Sequence, residues 1–162
     1  MKFYFDDKLV ERYTKQYTFE KLGLHNVTIK LYDDINMDNM FKGVIELNEV
    51  EMRSDKKCQI KSMISTFENC VNLYKFSING FGADNLKSMK KMFYRTRLYY
   101  FNCFSFDTYN LEDISYMFAG TNLERFSLNG LNTKKVTNMS HWFEDCSSFI
   151  SFDTNNFITD NV

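Results

Sequence analysis

The sequence has little of what the common catalytic and metal-binding motifs require. Glycine occurs only 6 times, and no glycine-rich phosphate-binding fingerprint is present. The only histidines, His25 and His141, lie more than a hundred residues apart, so neither a zinc-ligand spacing nor a cysteine–histidine pair is indicated. The acidic residues form no motif that would hold two carboxylates together. We therefore predict a protein that is not an enzyme and that uses no metal or cofactor.

Charge and hydropathy argue against nucleic-acid-binding and membrane proteins. A net charge of -1 and a pI near 6.1 create no overall field that would attract nucleic acid or an anionic membrane surface. No apolar run is long enough for a signal peptide or a membrane span, which predicts a cytoplasmic protein with no membrane partner. Of the four cysteines, Cys70 and Cys146 occupy one column of the repeat described next. They would lie roughly 14 Å apart if repeats stack at strand spacing, so free thiols are expected.

A repeat of about 25 residues organises the chain. Phe67, Phe93, Phe118 and Phe143 follow one another at steps of 26, 25 and 25 residues. Each copy places an L-x-x-L-x-L-like segment, typical of a strand, after a segment with apolar residues at i, i+3, i+6 and i+7. That second spacing predicts a short helix. A column of asparagines precedes the next helix, and we expect their side chains to bond turn backbone groups: Asn85, Asn110 and Asn161.

These patterns predict an α/β fold, a leucine-rich-repeat-type solenoid with parallel strands on one face and short helices on the other. Residues 24–162 would form about five to six rungs, one rung being one copy of the repeat, in a single continuous domain. Residues 1–23 are predicted to form a small helical N-terminal cap. Asp6 or Asp7 would cap its helix, with Leu9 and Val10 on the apolar face.

The repeat resembles the BspA-like leucine-rich repeats. In that family V-x-x-M-x-x-M-F is followed by Cys or a small residue, then by L-x-x-L-x-L and a D-T turn. The nearest copies are VTNMSHWFEDCSSFISFDTNNF from Val136 and LEDISYMFAGTNLERFSLNGLNT from Leu111. The resemblance covers about residues 35–162. It implies a curved parallel-strand solenoid that recognises proteins through its strand face, as in surface adhesins and other interaction proteins.

The strand face is the first candidate binding surface. Alternation within each strand turns some residues outward, and stacking of rungs brings those on neighbouring copies together. Tyrosine and arginine dominate interface energetics, so their clustering favours a protein partner over mutual covering of the rings. We predict a partner-binding set of six residues: Tyr74, Lys75, Tyr99, Tyr100, Phe104 and Arg125.

A second candidate surface is the segment LKSMKKMFYRTR, which is rich in basic residues. These would meet phosphate or an acidic protein. Acidic residues on the next rung, Glu112 beside Lys87 in particular, favour a solvated face with ion pairs between rungs. The basic patch consists of Lys87, Lys90, Lys91, Arg95 and Arg97.

We therefore predict a non-enzymatic protein-binding repeat protein. The narrower hypothesis is an intracellular stoichiometric binder or inhibitor of a larger complex, for example a phage or mobile-element anti-defence protein. The alternatives are a fragment of a BspA-like bacterial surface adhesin and a nucleic-acid binder that uses the basic patch. No C-terminal cap follows the last copy of the repeat, so a homodimer through that end is a further expectation.

Overall fold

A computed structural model describes most of the chain. The described residues are 2–10, 23–30, 33–54, 58–101, 106, 108–128, 130–153 and 157–162. Two compact units are present, Met1–Asp33 and Asp34–Val162. No helix in the described part is long and apolar enough to cross a membrane.

The first unit is a small antiparallel sheet. It contains β1 (Lys2–Phe5), β2 (Lys8–Val10) and β3 (Val27–Lys30), in the order β2-β1-β3. Asp6 and Asp7 join β1 to β2 with φ of 45° and 65°. Positive φ at both central residues is what a two-residue hairpin loop needs, because its twist then matches that of the strands.

The predicted helical cap is wrong for the described residues. Asp6 and Asp7 lie in the hairpin turn, and Leu9 belongs to β2. Aspartate is common in turns with positive φ as well as at the starts of helices, and this segment forms the turn. Residues 11–22, the rest of the predicted cap, lie outside the described residues. The predicted rungs were to begin at residue 24, but β3 (Val27–Lys30) pairs antiparallel with β1 and belongs to the first unit.

The second unit contains short parallel strand pairs at the spacing of the repeat. β4 (Ile35–Asn36) pairs with β6 (Ile60–Ser62), β5 (Glu49–Arg53) with β7 (Lys75–Asn79), and β8 (Arg125–Ser127) with β9 (Ser151–Asp153). Side chains alternate along β7, where Phe76 and Ile78 are buried and Lys75 is exposed. This alternation matches the period of a strand with one buried face.

The predicted α/β solenoid with helices is wrong. The described residues contain no α-helix, and the strands form small separate sheets instead of one solenoid sheet. Where helices were predicted, alternate N–H groups bond to the next copy of the repeat. Phe67 N donates to Met92 O at 2.9 Å, whereas Cys70 N donates to Phe67 O, three residues earlier, at 3.0 Å. These bonds define consecutive tight turns, not the i to i−4 ladder of an α-helix.

Left-handed residues explain why these segments cannot be helices. They occur in pairs four residues apart: Asn39 and Gly43, Ser65 and Asn69, Lys91 and Arg95, Tyr116 and Gly120, and His141 and Asp145. A residue with positive φ breaks a right-handed helix, because its carbonyl and N–H no longer lie along the helix axis. Residues at i, i+3, i+6 and i+7 nevertheless reach the core, as Ile60, Met63, Thr66 and Phe67 show, all of them fully buried.

Stacked phenylalanines fill the core of the second unit. Phe41, Phe67, Phe93, Phe118 and Phe143 form one column with ring centroids 5.4, 5.6, 5.8 and 5.7 Å apart and planes within 9° of parallel. A second column, Phe76, Phe101 and Phe126, meets the first edge to face; the rings of Phe76 and Phe93 are 4.9 Å apart at 68°. Both geometries are favourable for aromatic rings. The predicted phenylalanine column is confirmed.

Candidate functional site

The outward side chains of the strands form a continuous row. Glu49, Lys75, Tyr100, Arg125 and Ser151 are successive pairing partners across the rungs, and all five are exposed. Parallel pairing at this spacing holds neighbouring side chains about 5 Å apart. The structure therefore brings together Lys75, Tyr100 and Arg125 from the predicted partner-binding set. We call this surface, with the adjacent column described next, the strand face.

The adjacent column carries two stacked tyrosines. Tyr74 and Tyr99 lie with ring centroids 6.4 Å apart and planes 12° from parallel. Tyr99 is 48% exposed and Tyr100 is 50% exposed. The column continues from Tyr99 to Glu124, whose N–H donates to Tyr99 O at 3.3 Å. The tyrosine stack therefore ends at Tyr99, and one face of that ring borders the rung of Glu124.

Glu49 fixes the first tyrosine in place. The Tyr74 hydroxyl donates to Glu49 Oε1 at 2.5 Å, and Lys75 Nζ donates to Glu49 Oε2 at 2.9 Å. The Tyr74 hydrogen bond, followed by that of Lys75, lowers the pKa of Glu49 from its usual 4.5. The same carboxylate raises the pKa of Tyr74 and the pKa of Lys75. One carboxylate thus orients two of the predicted binding residues.

A shallow depression of about 420 Å³ lies beside the tyrosine stack. Its lining consists of Tyr74, Arg97, Tyr99, Asn122, Glu124 and Ser148. The depression is open to solvent and its lining is of mixed polar and apolar character, so it fits part of a larger partner better than an enclosed small molecule. Sequence reasoning placed Arg97 in the basic patch. Its position two residues before Tyr99, on the same side of an extended segment, was the signal that it belongs to the strand face.

The side chains of Arg97 and Arg125 are both exposed. Within the described part of the chain neither makes an ion pair, a hydrogen bond or a ring contact through its side chain. Lys75, by contrast, is engaged by Glu49. Phe104, the remaining member of the predicted set, lies outside the described residues.

The five residues of the predicted basic patch have different surroundings. Lys87 Nζ lies 3.0 Å from Glu112 Oε1, as the sequence predicted for neighbouring rungs. Lys91 Nζ and the Arg95 guanidinium lie over the ring of Tyr94, 5.4 and 5.0 Å from its centroid. Arg97 lines the depression on the strand face, and only Lys90 keeps an ammonium with no described partner.

Sequence reasoning missed an aromatic cluster in the turn segments. The rings of Tyr116 and His141 stack 4.4 Å apart, and Tyr94 meets Tyr116 edge to face at 6.2 Å. Lys91 Nζ also lies 5.5 Å from the Tyr116 centroid. The column Lys91, Tyr116, His141 is visible in the sequence at steps of 25 residues, but a predicted helix gave no reason to stack these side chains. The Tyr116 ring is contacted by His141, Tyr94 and Lys91, whereas the His141 side chain remains 48% exposed.

His141 and Cys146 each interact with a different group. His141 Nδ1 lies 3.4 Å from Glu144 Oε1, while Cys146 Sγ donates to Phe118 O at 3.0 Å. Burial raises the pKa of the Cys70 thiol, which donates to Phe41 O. Cys58, Cys70 and Cys146 are free thiols. Where side chains are described, no group of three or more His, Cys, Asp or Glu residues could hold a metal ion.

Comparison with known proteins identifies a family. The family model described as "Mycoplasma protein of unknown function, DUF285" matches residues 35–157, which is most of the chain and nearly all of the second unit. The chain belongs to this family. No curated protein and no solved structure matches it.

Proposed function

We propose that this member of the DUF285 family is a protein-binding module and that its strand face is the binding surface. The observation that carries the proposal is the row of half-exposed aromatic and basic side chains on adjacent rungs, Tyr74, Tyr99, Tyr100 and Arg125. Tyrosine and arginine supply most of the binding energy in many protein interfaces. They are usually surrounded there by polar contacts, as these are by Glu124 and Asn122.

Rigidity of the strand face supports the same function. Tyr74 is oriented by Glu49 and stacks on Tyr99, so both rings lose little conformational freedom when a partner binds. Tyr100 is held in the parallel row between Lys75 and Arg125. Side chains that are ordered before binding cost less entropy on association. The resemblance to BspA-like leucine-rich repeats, which rests on sequence motifs, also favours protein recognition.

The test is affinity purification of the intact chain from a lysate of its native host, followed by mass spectrometry. Replacing Tyr99 and Tyr100 together by alanine should weaken capture of a specific protein by about thirtyfold, which corresponds to about 2 kcal/mol. Tyr109→Ala is the matched control, because Tyr109 is 45% exposed but lies outside the strand face. Unchanged capture by the Tyr99 and Tyr100 double variant would reject the strand face as the binding surface.

The narrower hypothesis of a stoichiometric inhibitor also predicts the ratio of this chain to its target in the complex. A binder that blocks a larger complex should be recovered with it near one to one. Mass determination of the purified assembly measures that ratio. Recovery of the intact chain only as a homodimer would contradict the inhibitor hypothesis.

A further inference from the structure

Some charged side chains on and beside the strand face form ion pairs, and others do not. Glu49 is paired with Lys75 at 2.9 Å, and Glu51 is paired with Arg53 at 2.6 Å. These pairs lie on the rungs of β5 and β7. On the rungs that follow, Arg97 and Arg125 have no described partner, and neither does the carboxylate of Glu124. Among the described residues, two guanidinium groups and one carboxylate without a partner therefore lie around Tyr99 and Tyr100.

Arginine beside tyrosine favours a particular kind of partner. A guanidinium group binds a carboxylate through two parallel hydrogen bonds, and it is more weakly hydrated than an ammonium group. Arg97 lines the depression together with Tyr99, and Arg125 is the pairing neighbour of Tyr100. Each free cation thus has an exposed ring next to it. A carboxylate seated on either arginine would place its own chain against a tyrosine.

The shallow depression limits what can enter it. With a volume of about 420 Å³ and a wide opening, it accepts one or a few side chains of a partner, not a whole secondary-structure element. Asn122, Ser148 and Glu124 around its margin offer both donors and acceptors to a polypeptide backbone. The net excess of cations selects acidic over basic segments.

We propose that the partner protein contacts the strand face through an acidic segment whose carboxylates pair with Arg97 and Arg125 and whose neighbouring side chains pack on Tyr99 and Tyr100. This inference rests on the proposed protein-binding function and specifies the chemistry of the partner. Charge complementarity is its basis, because Glu49 is already paired with Lys75 and the unpaired charges described on this surface, Arg97, Arg125 and Glu124, leave an excess of one positive charge.

A defined polymer can test the chemistry without knowledge of the partner. The intact chain is titrated with a random copolymer of glutamate and tyrosine, and separately with a copolymer of lysine and tyrosine. We expect binding of the first only, weakened about tenfold by Arg97→Glu and by Arg125→Glu. Lys134→Glu is the matched control, because Lys134 is exposed, its ammonium has no described partner, and the charge change is the same. It should change the affinity less than twofold.

Failure to bind the glutamate–tyrosine copolymer, equal binding of the lysine–tyrosine copolymer, or equal loss in Lys134→Glu would overturn the inference. Stronger binding of polyuridylate, lost in the same arginine variants, would also overturn it and assign the arginines to nucleic acid. If Arg97→Glu and Arg125→Glu still capture the host protein while the Tyr99 and Tyr100 double variant does not, the acidic segment is rejected and the protein-binding function stands.

Discussion

Exchanging glycine and alanine at the left-handed positions tests whether the segments before the strands are turns or helices. Gly120 has a φ of 70° and Asp145 a φ of 56°. In a helix interior alanine is more stable than glycine by about 0.8–1 kcal/mol. At a left-handed position the order reverses, because Cβ approaches the following carbonyl oxygen. The two architectures therefore predict effects of opposite sign for the same substitution.

The size of the effect at Gly120 follows from two opposing contributions. A left-handed alanine costs about 1–2 kcal/mol, and its restriction of the unfolded chain returns about 0.4–1 kcal/mol. An added Cβ would also lie 3.2 Å from Arg95 Cγ, so that side chain must shift. We expect Gly120→Ala to lower the free energy of unfolding by about 1 kcal/mol. For a chain of this size the Tm should fall by about 2–4 °C.

Asp145 supplies the matched comparison. The variants Asp145→Gly and Asp145→Ala both remove the exposed carboxylate, so their difference isolates the backbone effect. The glycine variant should be the more stable by about 1 kcal/mol. Urea unfolding followed by fluorescence measures this, because Trp142 is the only tryptophan and is buried in the second unit. Greater stability of alanine at both positions would refute the turn assignment.

Two further predictions concern the core and the strand face. Phe93→Ala should lower the free energy of unfolding by about 3–5 kcal/mol, because a fully buried ring is removed from between two stacked neighbours; a urea titration showing a loss below 1 kcal/mol, roughly what a volume-conserving core swap costs, would contradict this. The Glu49 carboxylate should titrate below its usual pKa of 4.5, because Tyr74 and Lys75 donate to its charged form. Because the pKa is lowered on folding, the network stabilises the fold above the pKa of Glu49 in the unfolded chain, and this stabilisation is lost as the pH falls through the pKa in the folded chain. Carbon NMR of Glu49 should show a titration midpoint below 4.5 in the native chain and a higher midpoint in Tyr74→Phe. A midpoint at or above 4.5 in the native chain would exclude the network.

Periodicity predicted the core and the outward rows of the strand face. The spacing of Phe67, Phe93 and Phe118 places their rings in one stack, because copies of a repeat occupy equivalent positions. Asn110 and Asn161 bond turn carbonyls at 2.7 Å, as the asparagine column indicated. These successes depend only on residues recurring in register.

The helices could not be excluded from the sequence, because apolar residues at i, i+3, i+6 and i+7 fit consecutive tight turns as well as a helix. Glycine would have marked the left-handed positions, but Lys91, Tyr116 and His141 occupy one column of them. Bulky residues are rare at positive φ, so the sequence at these positions argued against a left-handed conformation. The inter-rung hydrogen bonds outweigh that cost, and no single copy of the repeat reveals them. Asp6 was ambiguous for a similar reason, since aspartate suits both a helix cap and a hairpin turn.

The hydrogen bonds between turns give each row of peptide groups a direction. In one row, Phe67 N–H donates to Met92 O, and the same peptide group donates through Phe93 N–H to Met117 O. The next peptide group donates in turn through Phe118 N–H to Trp142 O. Peptide dipoles in such a row add head to tail, as they do along a helix. A further copy of the repeat can extend the row only in the same orientation, with its carbonyl oxygens facing the donors of the copy before it. A reversed copy would set N–H against N–H, so growth of these rows is polar.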